Sequence, residues 1–388
     1  MHRELSDFDP IRPYRADEYQ GKLKKLLGDR EFKDAVDSAV GSVRRAIMFH
    51  RARRTVSVDD LQKKVVFGLI EKLLENVGSE FTFNLDNIDA VNDRYLFISN
   101  HRDIVLDATL LDYCMILSKS RGIEIAIGDN LLIRNWIEDL VRLNKSFIVR
   151  RSIESPAEFL EFSKLLSDYI HTAIRDGNDS VWIAQREGRA KDSNDLTQRS
   201  LLKMLAISDE EVDVVESLKS LHIVPLAISY EYDPCDWLKA MEFQMKRDDS
   251  QYRKTRETDL LNMKTGIFGF KGRIHYQAAE CASGKFDGID RSRPRNLQLD
   301  AAADIINRGI HQNYRIYPGN RIALDMLQGD RTPTAHYTEK EKKTFEQYVE
   351  GQLSKINLPN PDWNFLRERI LEMYANPLIN HMKATEGV

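Results

Sequence analysis

The sequence is poor in several features that would point to a specialised class of protein. Its 388 residues include only three cysteines, Cys114, Cys235 and Cys281, and their wide spacing matches no zinc or redox motif. We expect structural thiols in a reducing compartment. No stretch approaches the roughly 20 apolar residues that cross a bilayer, and the polar, acidic N-terminal segment resembles neither a signal nor a transit peptide. We predict a cytoplasmic protein, with peripheral contact to the inner face of the cell membrane left open.

The chain also lacks a large excess of charge of one sign. The 57 basic and 61 acidic residues leave a formal net charge of -4, so no global basic field suggests nucleic acid as a partner. Hydrophobic residues make up 42% of the chain, which is ample for a buried core in one large domain or two of ordinary size.

Several catalytic signatures are absent. The sequence contains no G-x-S-x-G elbow, no phosphate-binding G-x-x-x-x-G-K-[ST] loop, no G-x-G-x-x-G and no H-E-x-x-H. Residues 84–93 are rich in Asn and Asp but lack the glycine and the final glutamate of a calcium loop. A nucleophilic serine is therefore not supported, and we predict neither a metal site nor a bound cofactor.

The chain divides by pattern into three regions. Apolar residues three and four apart predict helices from residue 15 to about 77, with an N-cap signal at Ser57 and a stop at Gly78. Short β-rich runs separated by helix-length segments then indicate an α/β fold, and helical patterns return near the C-terminus. We predict an N-terminal helical region (1–78), an α/β domain (79–330) and a helical C-terminal extension (331–388).

Six apolar runs predict the strands of a mixed, mostly parallel sheet covered by helices. They are FTFNL (81–85), RYLFISN (94–100), IEIAIGD (123–129), SFIVRR (146–151), SVWIAQ (180–185) and LHIVPLAISYEY (221–232). The polar segment 248–300 is expected to form a lid or an insertion, with one strand pair around residues 266–280. Helices are predicted over 301–314, 337–356 and 361–382, packed on the sheet domain.

A histidine and two acids follow the second predicted strand. His101 leaves an apolar run and is followed by Asp103 and Asp107, the minimum arrangement for a general base whose imidazole is oriented by a carboxylate. An ordinary capping or packing histidine would give the same pattern. Asp103, two residues from His101, is better placed to cap the following helix, which leaves Asp107 as the favoured partner.

Arginines recur at the ends of later strands. Arg150 and Arg151 end one strand, and Arg189 follows Glu187 and Gly188 in a predicted loop. Guanidinium groups bind phosphate in bidentate fashion, so their recurrence beside a histidine favours an anionic substrate. Solvated surface arginines are the alternative for any one of them.

The order of these features resembles the glycerolipid acyltransferase family, which acylates glycerol 3-phosphate and lysophosphatidate. NHRDIVLD (100–107) resembles the first family motif, and GDNLLIRNWIEDLVRLNKSFIVRRS (128–152) the second. VWIAQREGRAKDSND (181–195) is similar to the third, and IVPLAISYEY (223–232) to the fourth. The second and fourth motifs are closer to the glycerol-3-phosphate branch. Two departures stand out: five residues separate His101 from Asp107 where the family has four, and Ala184-Gln185-Arg186 replaces the usual residues before Glu-Gly.

The resemblance implies a site and a reaction. His101, oriented by Asp107, would deprotonate an acceptor hydroxyl that attacks an acyl-CoA or acyl carrier protein thioester, with backbone N–H groups of the NHRD turn stabilising the oxyanion. Phosphate would be held by arginines, chiefly Arg150 and Arg189, and Glu187 would bind a glycerol hydroxyl. The implied substrate-binding residues are Arg102, Arg150, Arg151, Glu187, Gly188 and Arg189. A lysolipid or non-phosphorylated acceptor, or a catalytically silent lipid-binding protein of this fold, are the alternatives.

One local feature bears on membrane contact. The segment RRAIMFHRARR (44–54) is basic and partly amphipathic, a pattern found in helices that lie on anionic lipid. A solvated helix face would have the same composition.

Overall fold

The computed structural model describes residues 3–151, 153–176, 179–207, 212–329 and 336–386. Seven strands form one sheet in the order β1-β7-β6-β2-β5-β3-β4. They are β1 (Gly78–Asn84), β2 (Leu96–Ser99), β3 (Ile123–Gly128), β4 (Ser146–Val149), β5 (Ser180–Ala184), β6 (Ile223–Tyr230) and β7 (Gly272–Ala278). The strands β6, β2, β5, β3 and β4 are parallel; β7 runs antiparallel to β6, and β1 is parallel to β7.

Helices surround the sheet and extend it at both ends of the chain. Their bounds are α1 (Ala16–Gly28), α2 (Arg30–Val40), α3 (Ser42–Ala52), α4 (Val58–Leu61), α5 (Phe67–Val77), α6 (Leu106–Leu117), α7 (Asn135–Leu143), α8 (Pro156–Arg175), α9 (Arg199–Leu205), α10 (Val214–Lys219), α11 (Asp236–Asp248), α12 (Arg256–Phe268), α13 (Ser283–Phe286), α14 (Arg295–Gln312), α15 (Pro318–Gln328), α16 (Glu339–Leu353) and α17 (Trp363–Thr385). A π-helical turn, Gln62–Val66, joins α4 to α5. In the part of the chain that the structure describes, no helix combines the length and apolar character needed to span a bilayer.

The predicted α/β fold is confirmed, and each of the six predicted runs overlaps a strand. The β2 side chains are all buried, as are those of β6 up to its last residue, because helices cover both faces of the sheet. Successive side chains point to opposite faces. Leu96 and Ile98 join a core cluster with α8, α9, α10 and α14, whereas Phe97 and Trp182 join a cluster with α5 and α6.

The expectation for residues 248–300 was wrong in two respects. The segment is no insertion or lid, because β7 lies inside the sheet between β1 and β6. The predicted strand pair is a single strand: Gly266 to Phe268 belong to α12, which is capped at its start by the Thr255 hydroxyl. The exposed apolar residues at the end of α12 gave the sequence a strand-like appearance there.

The N-terminal region is helical as predicted, with one interruption, at Gly41. The Ser57 side chain accepts a hydrogen bond from the Asp60 N–H, and α5 ends immediately before Gly78. Within the predicted helical region, residues 30–54 divide at Gly41, whose φ of 83° is readily adopted only by glycine. Helices α1 to α4 share a core cluster of their own, to which Leu143 of α7 contributes.

The C-terminal helices pack beside the end of β6. Helices α14, α16 and α17 match the predicted segments, whereas α15 was not predicted. Asp236, fully buried at the start of α11, accepts hydrogen bonds from the hydroxyls of Tyr348 on α16 (2.9 Å) and Tyr374 on α17 (2.8 Å). Burial raises the pKa of Asp236 to about 7. The network ties these helices to the sheet; the predicted domain boundaries stay predictions.

Candidate active site

The five parallel strands end at one edge of the sheet, where ligands bind in open α/β folds. The residues at this edge are His101 after β2, Asp129 after β3, Arg150 and Arg151 after β4, Gln185 to Arg189 after β5, and Asp233 after β6. Because β2 is the fourth strand in the sheet order, the chain leaves the sheet at its centre just before His101.

The turn that carries His101 is fixed on both sides. Asn100 is fully buried, and its side chain exchanges hydrogen bonds of 2.8 and 2.9 Å with the backbone of Ile228 on β6. The His101 ring lies edge-on to Trp182 of β5, with 5.8 Å between ring centroids. Trp182 is itself held by a 3.0 Å hydrogen bond from its indole nitrogen to the Ser99 hydroxyl. The imidazole therefore has a defined position at the strand ends.

Asp107 is the acid that contacts His101. Its Oδ2 lies 2.8 Å from Nδ1 of His101 and also accepts hydrogen bonds from the backbone N–H groups of Arg102 (2.6 Å) and Asp103 (3.0 Å). Its Oδ1 accepts a 3.0 Å bond from the Tyr230 hydroxyl. The predicted pairing of His101 with Asp107 is confirmed as a contact. Because the carboxylate oxygen accepts from Nδ1–H, the Nε2 atom is left with a lone pair that can take a proton.

Asp103 faces away from the imidazole. Its Oδ1 accepts hydrogen bonds from the N–H groups of Val105 and Leu106, both 2.9 Å, at the first turn of α6. Burial and the charge of Asp107 raise the pKa of the Asp103 carboxyl, while Lys271 opposes the shift. The predicted capping contact is confirmed.

Those same contacts alter the expected oxyanion site. The N–H groups of Arg102 and Asp103 bind Asp107, and those of Val105 and Leu106 bind Asp103. These four donors are therefore occupied by carboxylates of their own turn. The sequence pattern could not reveal this, since it does not show which side chains fold back onto the backbone.

Arg102 points into the protein. It is 8% exposed, its Nη1 lies 3.2 Å from Oδ2 of the fully buried Asp195, and its guanidinium carbon lies 5.9 Å from the centre of the Tyr314 ring. Together with Asp233 and Tyr374 it lines a cavity of about 30 Å³, room for about one water molecule. The structure thus gives Arg102 a buried ionic partner, and its predicted contact with substrate stays a prediction.

The two arginines after β4 diverge. The guanidinium of Arg150 lies over the Phe162 ring of α8, 5.6 Å from its centre, beside the core cluster on the opposite face from Trp182. The backbone N–H of Arg151 donates to Asp129, and its Nη1 lies 3.7 Å from Oε1 of Glu187. The structure therefore brings Arg151 and Glu187 together. Arg150, predicted as a main phosphate ligand, instead packs on the face of the sheet opposite Trp182.

Arg189 reaches the surroundings of the His101 turn. The preceding Gly188 adopts a φ of 66°, which turns the chain after β5. Nη1 of Arg189 lies 3.7 Å from Sγ of Cys235. Burial lowers the Arg189 pKa, but the contact with Cys235 and the charges of Asp233 and Asp103 outweigh it, so the pKa is raised. Of the predicted arginines outside the turn, Arg189 is thus the one electrostatically linked to it.

Helix α12 closes one side of the turn. A Cβ placed on Gly266 would lie 2.6 Å from Oδ2 of Asp103, so the helix backbone approaches the carboxylate closely. Lys271, fully buried after this helix, donates to the carbonyls of Gly269 (3.0 Å) and Ile267 (3.3 Å). Burial lowers the Lys271 pKa, although Asp103 opposes the shift.

Sequence reasoning missed several parts of this site. Tyr230 lay within the recognised strand end, but no spacing rule linked its hydroxyl to Asp107. Asp195 pairs with Arg102, and Lys271 interacts electrostatically with Asp103; both are distant in sequence from these residues, and only the fold brings them close.

Over the described ranges, no group of three or more His, Cys, Asp or Glu side chains is arranged to hold a metal ion. No protein-family model matches the chain, and no curated protein sequence matches it. The resemblance to glycerolipid acyltransferases accordingly stays a prediction.

Proposed function

We propose that the protein is an O-acyltransferase that moves a fatty acyl group from an acyl-CoA or acyl carrier protein thioester to a hydroxyl of glycerol 3-phosphate or a related glycerolipid. The observation that carries the proposal is the His101–Asp107 contact at the end of the central strand, with Nδ1 of the imidazole held by a buried carboxylate. The neighbouring arginines and the order of the four sequence motifs support the same reading.

The geometry suits general-base chemistry without a covalent enzyme intermediate. Nε2 of His101 takes the proton of the acceptor hydroxyl as its oxygen attacks the thioester carbonyl. The tetrahedral intermediate then collapses, the carbon–sulfur bond breaks, and the imidazolium returns the proton to the departing thiolate. Asp107 stabilises the imidazolium and fixes its orientation.

The phosphate group of the acceptor would bind at the ends of β4 and β5. Arg151 and Arg189 supply positive charge there, and Glu187, with a largely exposed side chain, can accept a hydrogen bond from a glycerol hydroxyl. We assign the phosphate to these two arginines and not to Arg150, whose guanidinium lies over Phe162.

The apolar surface of helix α12 favours a substrate with a lipid chain. It is the reason to keep a lysolipid acceptor as the second candidate function. Leu260, Leu261, Phe268 and Phe270 at this helix are each 45–56% exposed. Gly266 in the same helix lies against Asp103 of the His101 turn. Exposed apolar side chains around a helix that packs against the His101 turn suit the approach of an acyl chain.

An acceptor panel tests the proposal. The wild-type chain and H101A are incubated with acyl-CoA or acyl carrier protein and with glycerol 3-phosphate, lysophosphatidate or glycerol, while thiol release and ester formation are measured. We expect transfer by the wild type and a loss of about 10²- to 10⁴-fold in H101A, the usual contribution of a general base. Equal rates in the two proteins would remove His101 from the chemistry, and lipid binding without transfer would favour the silent alternative.

A matched pair of arginine variants tests the phosphate assignment. R189Q should raise the KM for glycerol 3-phosphate by about 10-fold or more, the loss expected for a hydrogen bond to a charged group. R150Q removes the same charge on the other face of the sheet and should leave KM nearly unchanged. The opposite ranking would restore Arg150 to the site.

A further inference from the structure

Helix α3 buries only part of its surface. Phe49 and Ala52 belong to the core cluster of the N-terminal helices, and Met48 packs against it. The remainder of the helix, together with the turn that follows, faces solvent. We call this surface, formed by the exposed side chains of residues 43–56, the α3 face.

Large apolar side chains on the α3 face are unusually exposed. Val43 is 73% exposed, Ile47 is 52% exposed, and Val56 beyond the helix is 76% exposed. Val43 and Val56 are the two most exposed large apolar residues among those that the structure describes. Val43 and Ile47 are four residues apart, so they lie on the same side of the helix.

The same surface is strongly cationic. Residues 44–54 include five arginines and no acidic residue, in a chain whose net charge is -4. Arg45 pairs with Asp37 of α2 at 2.5 Å. Arg44, Arg51, Arg53 and Arg54 are exposed, and within the described residues none of these four forms an ion pair with an acidic side chain.

We infer that the α3 face docks on the surface of an anionic lipid bilayer. Its guanidinium groups complement lipid phosphates, and Val43, Ile47 and Val56 can enter the boundary between headgroups and acyl chains. An acidic protein partner would satisfy the arginines but would not by itself account for isolated aliphatic side chains between them. The inference concerns binding alone and does not depend on the proposed acyl transfer.

Vesicle co-sedimentation tests the inference with the full chain. The probes are vesicles of phosphatidylcholine alone and of phosphatidylcholine mixed with phosphatidylglycerol. The wild type should bind the anionic vesicles, less tightly as salt rises, and should bind the neutral vesicles weakly. The variant R51Q/R53Q/R54Q should lose about 100-fold in affinity, since each basic residue near an anionic surface contributes about a factor of five.

A matched control removes three charges elsewhere. K340Q/K342Q/K343Q alters α16 by the same net charge and should bind within about twofold of the wild type if position matters more than total charge. A second variant, V43S/I47S, keeps every charge and should weaken binding through its apolar contribution. Circular dichroism establishes that each variant is folded.

Three results would overturn the inference: equal loss in the arginine and lysine variants, no effect of V43S/I47S, or no binding of the wild type to anionic vesicles. If R51Q/R53Q/R54Q instead slowed reaction with an acyl carrier protein in the absence of vesicles, and bound vesicles normally, the α3 face would be a protein-docking surface.

Discussion

Replacement of Asp107 tests the chemistry most directly. Asp107→Ala should abolish transfer, but it also leaves the N–H groups of Arg102 and Asp103 without their acceptor. Unsatisfied buried donors cost about 1–3 kcal/mol each, a large part of the about 5–15 kcal/mol by which a typical domain is stable. Asp107→Asn is the sharper variant, because its amide oxygen can take the Oδ2 position and keep those bonds.

The loss of kcat expected for Asp107→Asn can be calculated from the negative charge that the substitution removes. In the wild type the carboxylate lies 2.8 Å from the Nδ1 atom of His101. In the proposed transfer the His101 ring would become an imidazolium. Two unit charges about 4 Å apart at an effective dielectric of about 20 attract by about 4 kcal/mol. Loss of that attraction should lower kcat by roughly 10³-fold, because each 1.36 kcal/mol corresponds to about a factor of ten.

Asp103 provides the matched comparison. It is a buried carboxylate only two residues from His101, but it caps α6. Asp103→Ala should lower the free energy of unfolding by about 0.5–2 kcal/mol, the usual cost of a lost cap, while transfer by the folded fraction persists. Thiol release measures the rate, and urea unfolding measures stability. Loss of transfer in Asp103→Ala with retention in Asp107→Asn would refute the assignment of the two acids.

Three further outcomes are expected. Tyr230→Phe leaves Oδ1 of Asp107 without its 3.0 Å partner and should lower kcat about tenfold with little change in KM, measured by initial rates; an unchanged kcat would contradict this. Gly266→Ala should push α12 from Asp103 and lower the thermal midpoint, since the new Cβ would lie 2.6 Å from Oδ2; an unchanged midpoint would show that the helix can yield. Asp236 has a folded pKa of about 7, above its ordinary value of 3.8, so its contribution to stability is present below about pH 4 and is lost as the pH rises through 7. Urea unfolding should show a pH slope of up to about 1.4 kcal/mol per unit over that range, and Asp236→Asn should reduce it; equal slopes would contradict the shift.

The sequence predicted the structure correctly where a local pattern of residues determined the strand or the contact. The apolar runs before His101 and around Trp182 became buried strands, because a strand covered by helices on both faces is apolar along its whole length. The acid that contacts His101 also followed from position along the chain, since residue 107 lies in the first turn of α6 and can fold back onto the preceding turn.

The features that could not be predicted from the sequence depend on packing between segments far apart in the chain. Arg150 and Arg151 are adjacent in sequence and both follow the last residue of β4, but they meet different neighbours: Arg150 lies over Phe162, and Arg151 reaches Glu187. Strand β7 was obscured by two exposed apolar residues before it, Phe268 at the end of α12 and Phe270 just after that helix. The ion pair of Arg102 with Asp195 joins segments that share no local pattern.

The position of β1 delays its entry into the sheet while the chain is being synthesised. This strand lies at the edge of the sheet and is hydrogen-bonded to β7, with Gly78 opposite Gly272. During synthesis, residues 78–84 emerge long before their partner, so β1 cannot enter the sheet until residue 278 has left the ribosome. Closing so long a loop is slow compared with forming local helices. A nascent chain halted before β7 should therefore hold β1 as an unpaired segment, open to chaperones.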